Sequence, residues 1–280
     1  MKAKNVLIAV SVLVLVLTAF FLGQRTQVEV KKKTQVKKVV QPRIVKKKKA
    51  AVLPSAVIPS RVAKVAIVID DFGYSKNNLP AFFDIKEPLT FSILPNLRYS
   101  RDIAKSAKEH GCEAILHLPM ASHRKDVVEE IDTLKPGDSQ KEIIARLSKD
   151  IESVPGLDGV SNHMGSLATE DKTLMTTVLA YLKKHNLYFF DSVTSDKSVC
   201  ADVAGSTGIK FAKRDIFLDN SNDVDRIAGE LAELKKLAFK RGRAIAICHD
   251  RKNTAIALAK VMPQMAEEGI EFVCLSDMVR

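Results

Sequence analysis

The sequence predicts an α/β domain over residues 64–280, with a parallel sheet covered by helices that is either barrel-like or open. Short apolar runs alternate with longer amphipathic stretches, the signature of repeated strand-then-helix units. Hydrophobic residues make up 46% of the chain and charged residues 28%, which suits one globular core and excludes disorder over most of the length. Asp or His also recurs at the ends of strand-like runs, where the loops of such sheets converge on one face.

The apolar runs Val65–Ile69, Leu89–Leu94, Glu113–Leu118, Leu187–Phe190, Ala244–Cys248 and Glu271–Cys274 are expected strands. Between them, Tyr99–His110, Ser139–Val154, Glu170–His185, Val224–Arg241 and Thr254–Glu268 are expected helices. Ser139 followed by Glu142 is a capping-box pattern, and Gly111 and Gly269 stand just past two of these helices as stops. No internal repeat interrupts the series, so residues 64–280 read as one domain.

Two segments precede it. Lys2 and Lys4 lead into Val6–Gly23, a stretch without a charge, so residues 1–23 read as a signal peptide or an uncleaved membrane anchor. Both forms point to an exported protein, periplasmic or anchored to the inner membrane facing the periplasm. The lysines after the apolar run oppose that orientation, but an apolar run this near the start commonly directs export. Residues 24–63 are rich in Lys, Val and Pro and show no sustained period, which describes an extended basic linker able to touch anionic lipid or polymer.

Charge follows the same division. The chain carries a net charge of +11 overall, yet residues 1–64 hold 15 Lys/Arg against the single acid Glu29, and the remainder is slightly acidic. The folded part therefore has no basic bias, and nucleic acid is not an expected partner. Four cysteines, Cys112, Cys200, Cys248 and Cys274, lack the close spacing of a zinc ribbon or redox motif. A disulfide between Cys248 and Cys274 is left open.

The strand ends carry the chemistry. Asp70 and Asp71 follow the first strand, His117 lies near the end of the third, and Asn162-His163 follow Gly159-Val160. Asp191 follows Phe190, and His249-Asp250 follow Cys248. Adjacent carboxylates at a buried strand end repel unless a cation or proton relieves them. One Asp with two His forms an N/O donor set for Zn²⁺ or a similar divalent ion, and the remaining Asp and His supply a base and an acid. Hydrolysis of an amide or ester is the reaction such a set serves.

At these residues the sequence resembles the divergent polysaccharide deacetylase family, a branch of the deacetylase/NodB-like superfamily of distorted (β/α) barrels. The resemblance is carried by Ile67-Val68-Ile69-Asp70-Asp71-Phe72-Gly73-Tyr74, Ile93-Leu94-Pro95, His117-Leu118-Pro119-Met120 and Gly159-Val160-Ser161-Asn162-His163-Met164-Gly165-Ser166. Phe190-Asp191-Ser192-Val193-Thr194, Phe217-Leu218-Asp219-Asn220 and Ala246-Ile247-Cys248-His249 continue it in order. It implies metal-dependent removal of N-acetyl groups from an amino-sugar polysaccharide of the cell envelope. In that mapping Asp70 is the general base, and Asp71, His117 and His163 are metal ligands. His249 is the general acid, and Asp191 orients or tunes one of these groups. The chain departs from the mainstream pattern in having no paired metal histidines on one motif, with Ala121 after the His-Leu-Pro-Met run and Cys248 and Asp250 around His249.

The alternative is a non-catalytic envelope protein that binds glycan or protein on the same fold. A phosphoryl-transfer enzyme is a third reading, since paired Asp residues suit Mg²⁺. The missing Gly-rich phosphate loop argues against it. An aromatic content of 6% without Trp offers few stacking platforms, which suits a small or shallow site.

Overall fold

The computed structural model describes residues 62–280. The predicted signal or anchor and nearly all of the predicted linker lie outside the described residues. In order, the chain forms β1 (Ala63–Phe72), α1 (Leu79–Phe83), β2 (Thr90–Ile93), α2 (Ser100–Glu109), β3 (Glu113–Met120), α3 (Gln140–Ser153) and β4 (Gly159–Met164). There follow α4 (Lys172–Lys184), β5 (Tyr188–Asp191), α5 (Cys200–Thr207), β6 (Phe211–Lys213), β7 (Ile216–Phe217), α6 (Val224–Arg241), β8 (Arg243–His249), α7 (Lys252–Glu267) and β9 (Ile270–Phe272). Every predicted strand and helix is present, with ends shifted by a few residues. The short elements α1, α5, β6 and β7 were not predicted, because none is long enough to display a period, and β4 was read only as the Gly159-Val160 run leading to His163.

All the strands pair in parallel in one sheet, ordered β6-β5-β4-β3-β2-β1-β8-β7, with β9 beside β1. One flank of β1 is taken by β8; the other is shared by β9 at its start and β2 towards its end. The sheet curls until its outer strands, β6 and β7, are joined by only Arg214 and Asp215. This is a distorted, α/β-type barrel rather than an open sheet.

Side-chain alternation sorts each strand into two faces. Val65, Ile67 and Ile69 face the helices in the larger core, whereas Ala66 and Val68 face the barrel interior with Ile115, Tyr188, Phe190, Ile245 and Ile247. Val273, Leu275 and Met278, after β9, pack into that interior. Beside them Glu113, buried, accepts from Thr90 Oγ1 at 2.7 Å, Tyr188 Oη at 3.0 Å and Ser276 N at 3.1 Å. The N-terminal ends of the strands are thus closed by the chain's final segment.

Local signals explain the helix ends. Ser139 Oγ accepts from Glu142 N and the Glu142 carboxylate accepts from Ser139 N at 2.8 Å, the reciprocal cap the spacing predicts. Asp171 and Asp223 cap α4 and α6 through their side chains. No helix among the described residues is long and apolar enough to cross a membrane. All four cysteines are free thiols, with Cys200 and Cys248 buried.

Candidate active site

Two neighbouring residues on a regular strand point to opposite faces, so Asp70 and Asp71 could not share a site without a local irregularity. β1 supplies one. Ile69 pairs with Phe91 and Phe72 with Ile93, three steps against two, so the strand carries a bulge, and Asp71 takes a left-handed φ of 67°. Asp70 keeps the inward direction of Ala66 and Val68, and the bulge turns Asp71 towards the same mouth. His117 then lies near both, with Nδ1 3.7 Å from Asp70 Oδ1 and Nε2 3.4 Å from Asp71 Oδ1.

His163, on β4, brings Nδ1 to 3.0 Å from Asp71 Oδ1, and its ring meets that of His117 edge to face at 4.9 Å. Donor atoms of Asp71, His117 and His163 lie within 4.8 Å of one another. Asp71 Oδ1 is buried, and neither neighbouring imidazole is aligned to donate to it, so this oxygen has no hydrogen-bond partner. A buried, unpartnered carboxylate oxygen between two imidazole nitrogens fits a divalent cation of the borderline kind. Burial works against the Asp71 charge, but the His117 and His163 rings outweigh it and hold its carboxyl far below the usual range.

Asp70 behaves oppositely. It is 3% exposed, its Oδ1 also lacks a partner, and burial raises its pKa despite the opposing pull of His117. The two adjacent acids are therefore driven apart in proton affinity, one kept ionised and one inclined to take a proton.

β1 and β8 are in register at Asp70 and His249. His249 Nε2 faces the mouth 3.8 Å from Asp71 Oδ2, and Nδ1 contacts Asp219 Oδ1 at 2.9 Å. Asp219 is wholly buried, and its other oxygen accepts from His249 N at 2.9 Å and Thr254 Oγ1 at 2.8 Å. Burial opposes a charge on His249, yet the Asp219 hydrogen bond and the Asp71 and Asp70 carboxylates prevail and raise its pKa.

The predicted site residues Asp70, Asp71, His117, His163 and His249 thus meet at one mouth, and Asp191 does not join them. On β5 it shares the helix-facing side of Phe189, while Tyr188 and Phe190 face inward. Its Oδ1 accepts from Val193 N at 2.8 Å and its Oδ2 from Ser198 Oγ at 2.7 Å. The residue that orients a histidine is Asp219, and Asp191 instead secures the turn after β5, where Val193 has a φ of 51°. Arg214 braces the same turn from the barrel seam, donating to Ser192 O at 2.8 Å and Val193 O at 2.9 Å.

Sequence reasoning also missed the interior hydroxyls. Ser161 Oγ lies 2.8 Å from His117 Nδ1 and 2.8 Å from Ser92 Oγ, and both serines are fully buried. Asp219 left a readable trace, an Asp after Phe217-Leu218 like those after the other strands. The serines left none, since a Ser inside an apolar run carries no positional signal.

A family model described as divergent polysaccharide deacetylase matches residues 67–279. The uncharacterized protein YibQ of Escherichia coli K12 is 35% identical over 204 residues, covering 73% of this chain. The chain spans only 64% of that relative's own length. Among solved structures, the uncharacterized protein ATU2773 of Agrobacterium tumefaciens C58 has a TM-score of 0.74 at 24% identity, covering 79% of this chain and 91% of its own. BA3943 of Bacillus anthracis, described as a CE4 family pseudoenzyme, has a TM-score of 0.50 at 14% identity, covering 78% of this chain and 66% of its own. At these identities the two structures are alike in fold.

Proposed function

The chain belongs to the divergent polysaccharide deacetylase family, and from that premise we propose that it hydrolyses N-acetyl groups on an amino-sugar polysaccharide of the cell envelope. The observation that carries this reading is the convergence of Asp71, His117 and His163 around an unpartnered buried carboxylate oxygen, with Asp70 and His249 at the same mouth. In this reading Asp71, His117 and His163 hold a divalent ion, Zn²⁺ foremost. Such an ion, when bound, polarises the acetamide carbonyl and makes water a better nucleophile near neutral pH.

The chain's own groups do the proton work. Asp70 takes a proton from the attacking water at its carboxylate, a task its raised pKa favours. Asp219, accepting at Nδ1, fixes the His249 ring so that Nε2 holds the transferable proton, and the raised pKa keeps it there. His249 then gives that proton to the departing amine. The segment before the domain serves export and tethering, as a signal or anchor followed by a basic linker that can contact the membrane.

The second reading, glycan or protein binding without turnover, draws on the fold shared with a protein described as a pseudoenzyme. One experiment separates the two. Acetate release from N-acetylglucosamine oligomers is measured with the full-length chain supplied with Zn²⁺, beside Asp70→Asn and His249→Gln. Turnover that falls ~100-fold or more in each variant supports the hydrolase. Saturable binding of the oligomers by a Zn²⁺-loaded chain that releases no acetate overturns it in favour of the binder.

A further inference from the structure

Tyr74 is the one exposed tyrosine or phenylalanine among the described residues, at 56% exposure. It comes three residues after Asp71 and directly after Gly73, whose φ of 135° turns the chain out of β1. Gly73 lies tight against the turn between β2 and α2, where a Cβ would stand 2.9 Å from Leu97 Cδ1. The Tyr74 hydroxyl donates to Glu130 Oε1, a residue of the loop between β3 and α3.

That loop is an excursion from a closed base. Ala121 N donates to Leu134 O at 2.9 Å and Leu134 N to Pro119 O at 3.0 Å, and both Ala121 and Leu134 are buried. Residues 122–133 therefore stand out from the end of the strand that carries His117, and loops of this length in compact domains are usually functional. The Tyr74–Glu130 bond links the strand ends of Asp71 and His117 across the end of β2. Val128 and Ile131, beside Glu130 in sequence, are 93% and 74% exposed, so apolar surface gathers at this corner of the mouth.

A free surface tyrosine loses side-chain freedom when it binds, whereas one tied at its hydroxyl already presents a fixed ring face. Partial burial, the Glu130 bond and charge, and the Asp71 charge all raise the phenol pKa, so the tether keeps its proton at neutral pH. His249 approaches the mouth from β8, on the other flank of β1 from β2 and β3. An acetamide lying between the three ligands and His249 thus leaves the Tyr74 side to another part of the polymer. We propose that Tyr74, oriented by Glu130, is a specificity-determining platform on which the sugar ring next to the reacting unit stacks its apolar face. This deepens the deacetylase reading of the same mouth and rests on it for the place of the reacting unit. An acyl chain on this corner would desolvate the Glu130 carboxylate without compensation, whereas sugar hydroxyls hydrogen-bond to it.

The test uses the full-length chain labelled with 3-fluorotyrosine, loaded with Zn²⁺ and titrated with N-acetylglucosamine monomer or tetramer. The chain has four tyrosines, and the ¹⁹F signal lost in Tyr74→Phe identifies Tyr74. Tetramer is expected to shift that signal, to leave Tyr188 in place and to bind ~10-fold or more tighter than monomer. Tyr74→Ala is expected to remove the preference for tetramer and leave monomer binding unchanged. Tyr74→Phe and Glu130→Ala each weaken tetramer binding about threefold and together no further, while Glu130→Gln keeps wild-type affinity. A Tyr74 signal that tetramer leaves unmoved, equal affinity for monomer and tetramer, or full tetramer affinity in Tyr74→Ala overturns the platform, whether or not acetate is released. A signal moved by phosphatidylglycerol vesicles and not by tetramer makes the corner a lipid contact and overturns it too. Tetramer that shifts Tyr74 and loses affinity in Tyr74→Ala, with no acetate released, overturns the hydrolase reading and leaves the platform standing. Should Tyr74→Ala fail to fold, Glu130→Ala decides: tetramer affinity equal to wild type overturns the proposal.

Discussion

Asp71 and Val193 both hold left-handed backbone, at φ 67° and 51°, and both stand at strand ends that frame the mouth. Such conformations cost side-chain-bearing residues on the order of 1–3 kcal/mol, so the surroundings must enforce them. Asp71 gains a place beside His117 and His163; Val193 is held by Asp191 below and Arg214 beside it. Asp219 enforces another arrangement, the direction of the His249 ring. Asp219→Ala is expected to cut deacetylation by about 100-fold while Zn²⁺ affinity stays at the wild-type level, read by acetate release and dye competition on one preparation. Equal loss of both would mean that Asp219 supports the whole mouth rather than His249. A different acid links stability to pH. Asp150, wholly buried with Oδ2 unpartnered, has its pKa pushed by burial from 3.8 up to about 7. Its neutral form suits the fold, so its contribution is full below pH 4 and is lost as pH rises through 7. Asp150→Asn keeps an acceptor for Asn96 Nδ2 and is expected to match wild type near pH 4 but exceed it by ~1–3 kcal/mol at pH 8, measured by urea unfolding.

The β1 bulge decides more about the mouth than any single side chain, and it is where the sequence is least legible. Asp70-Asp71 reads as a pair of carboxylates at a strand end, but nothing in Ile-Asp-Asp-Phe-Gly states that an extra residue turns the second one inward. The same limit explains Asp191. It follows an apolar run as Asp70 and His249 do, and only the parity of β5, fixed by Gly159 pairing with Tyr188, sends it to the helix side. The long elements were legible because period and caps are local properties, as with Ser139 and Glu142 on α3. β6 and β7 were not, since strands of three and two residues owe their existence to neighbours distant in sequence. That β4–β5 register also needs glycine: a Cβ on Gly159 would stand 2.3 Å from the Tyr188 ring. Gly159→Ala is expected to cost ~1–3 kcal/mol in urea unfolding and to weaken the Tyr188–Glu113 hydrogen bond; an unchanged midpoint would show that the ring can move aside.

At the scale of the molecule, reactive groups gather at one end of the barrel and closure at the other. The proposed division into an anchor or signal over residues 1–23, a linker over 24–63 and a domain over 64–280 predicts that a chain lacking residues 1–60 unfolds cooperatively, with coincident transitions by fluorescence and far-ultraviolet circular dichroism. Aggregation of that fragment at low concentration would make the preceding segment part of the fold. The seam has a consequence for partners. A sheet recruits a foreign peptide, or another copy of itself, by offering a long row of free amides and carbonyls along a border strand. Here the border strands have three and two residues, are tied to each other through Arg214 and Asp215, and Phe211 on β6 already exchanges main-chain bonds with Arg280. Strand addition, whether in recognition or in amyloid-like misassembly, finds almost no template in this domain, and whatever docks on it must be met by loops and helix surfaces instead.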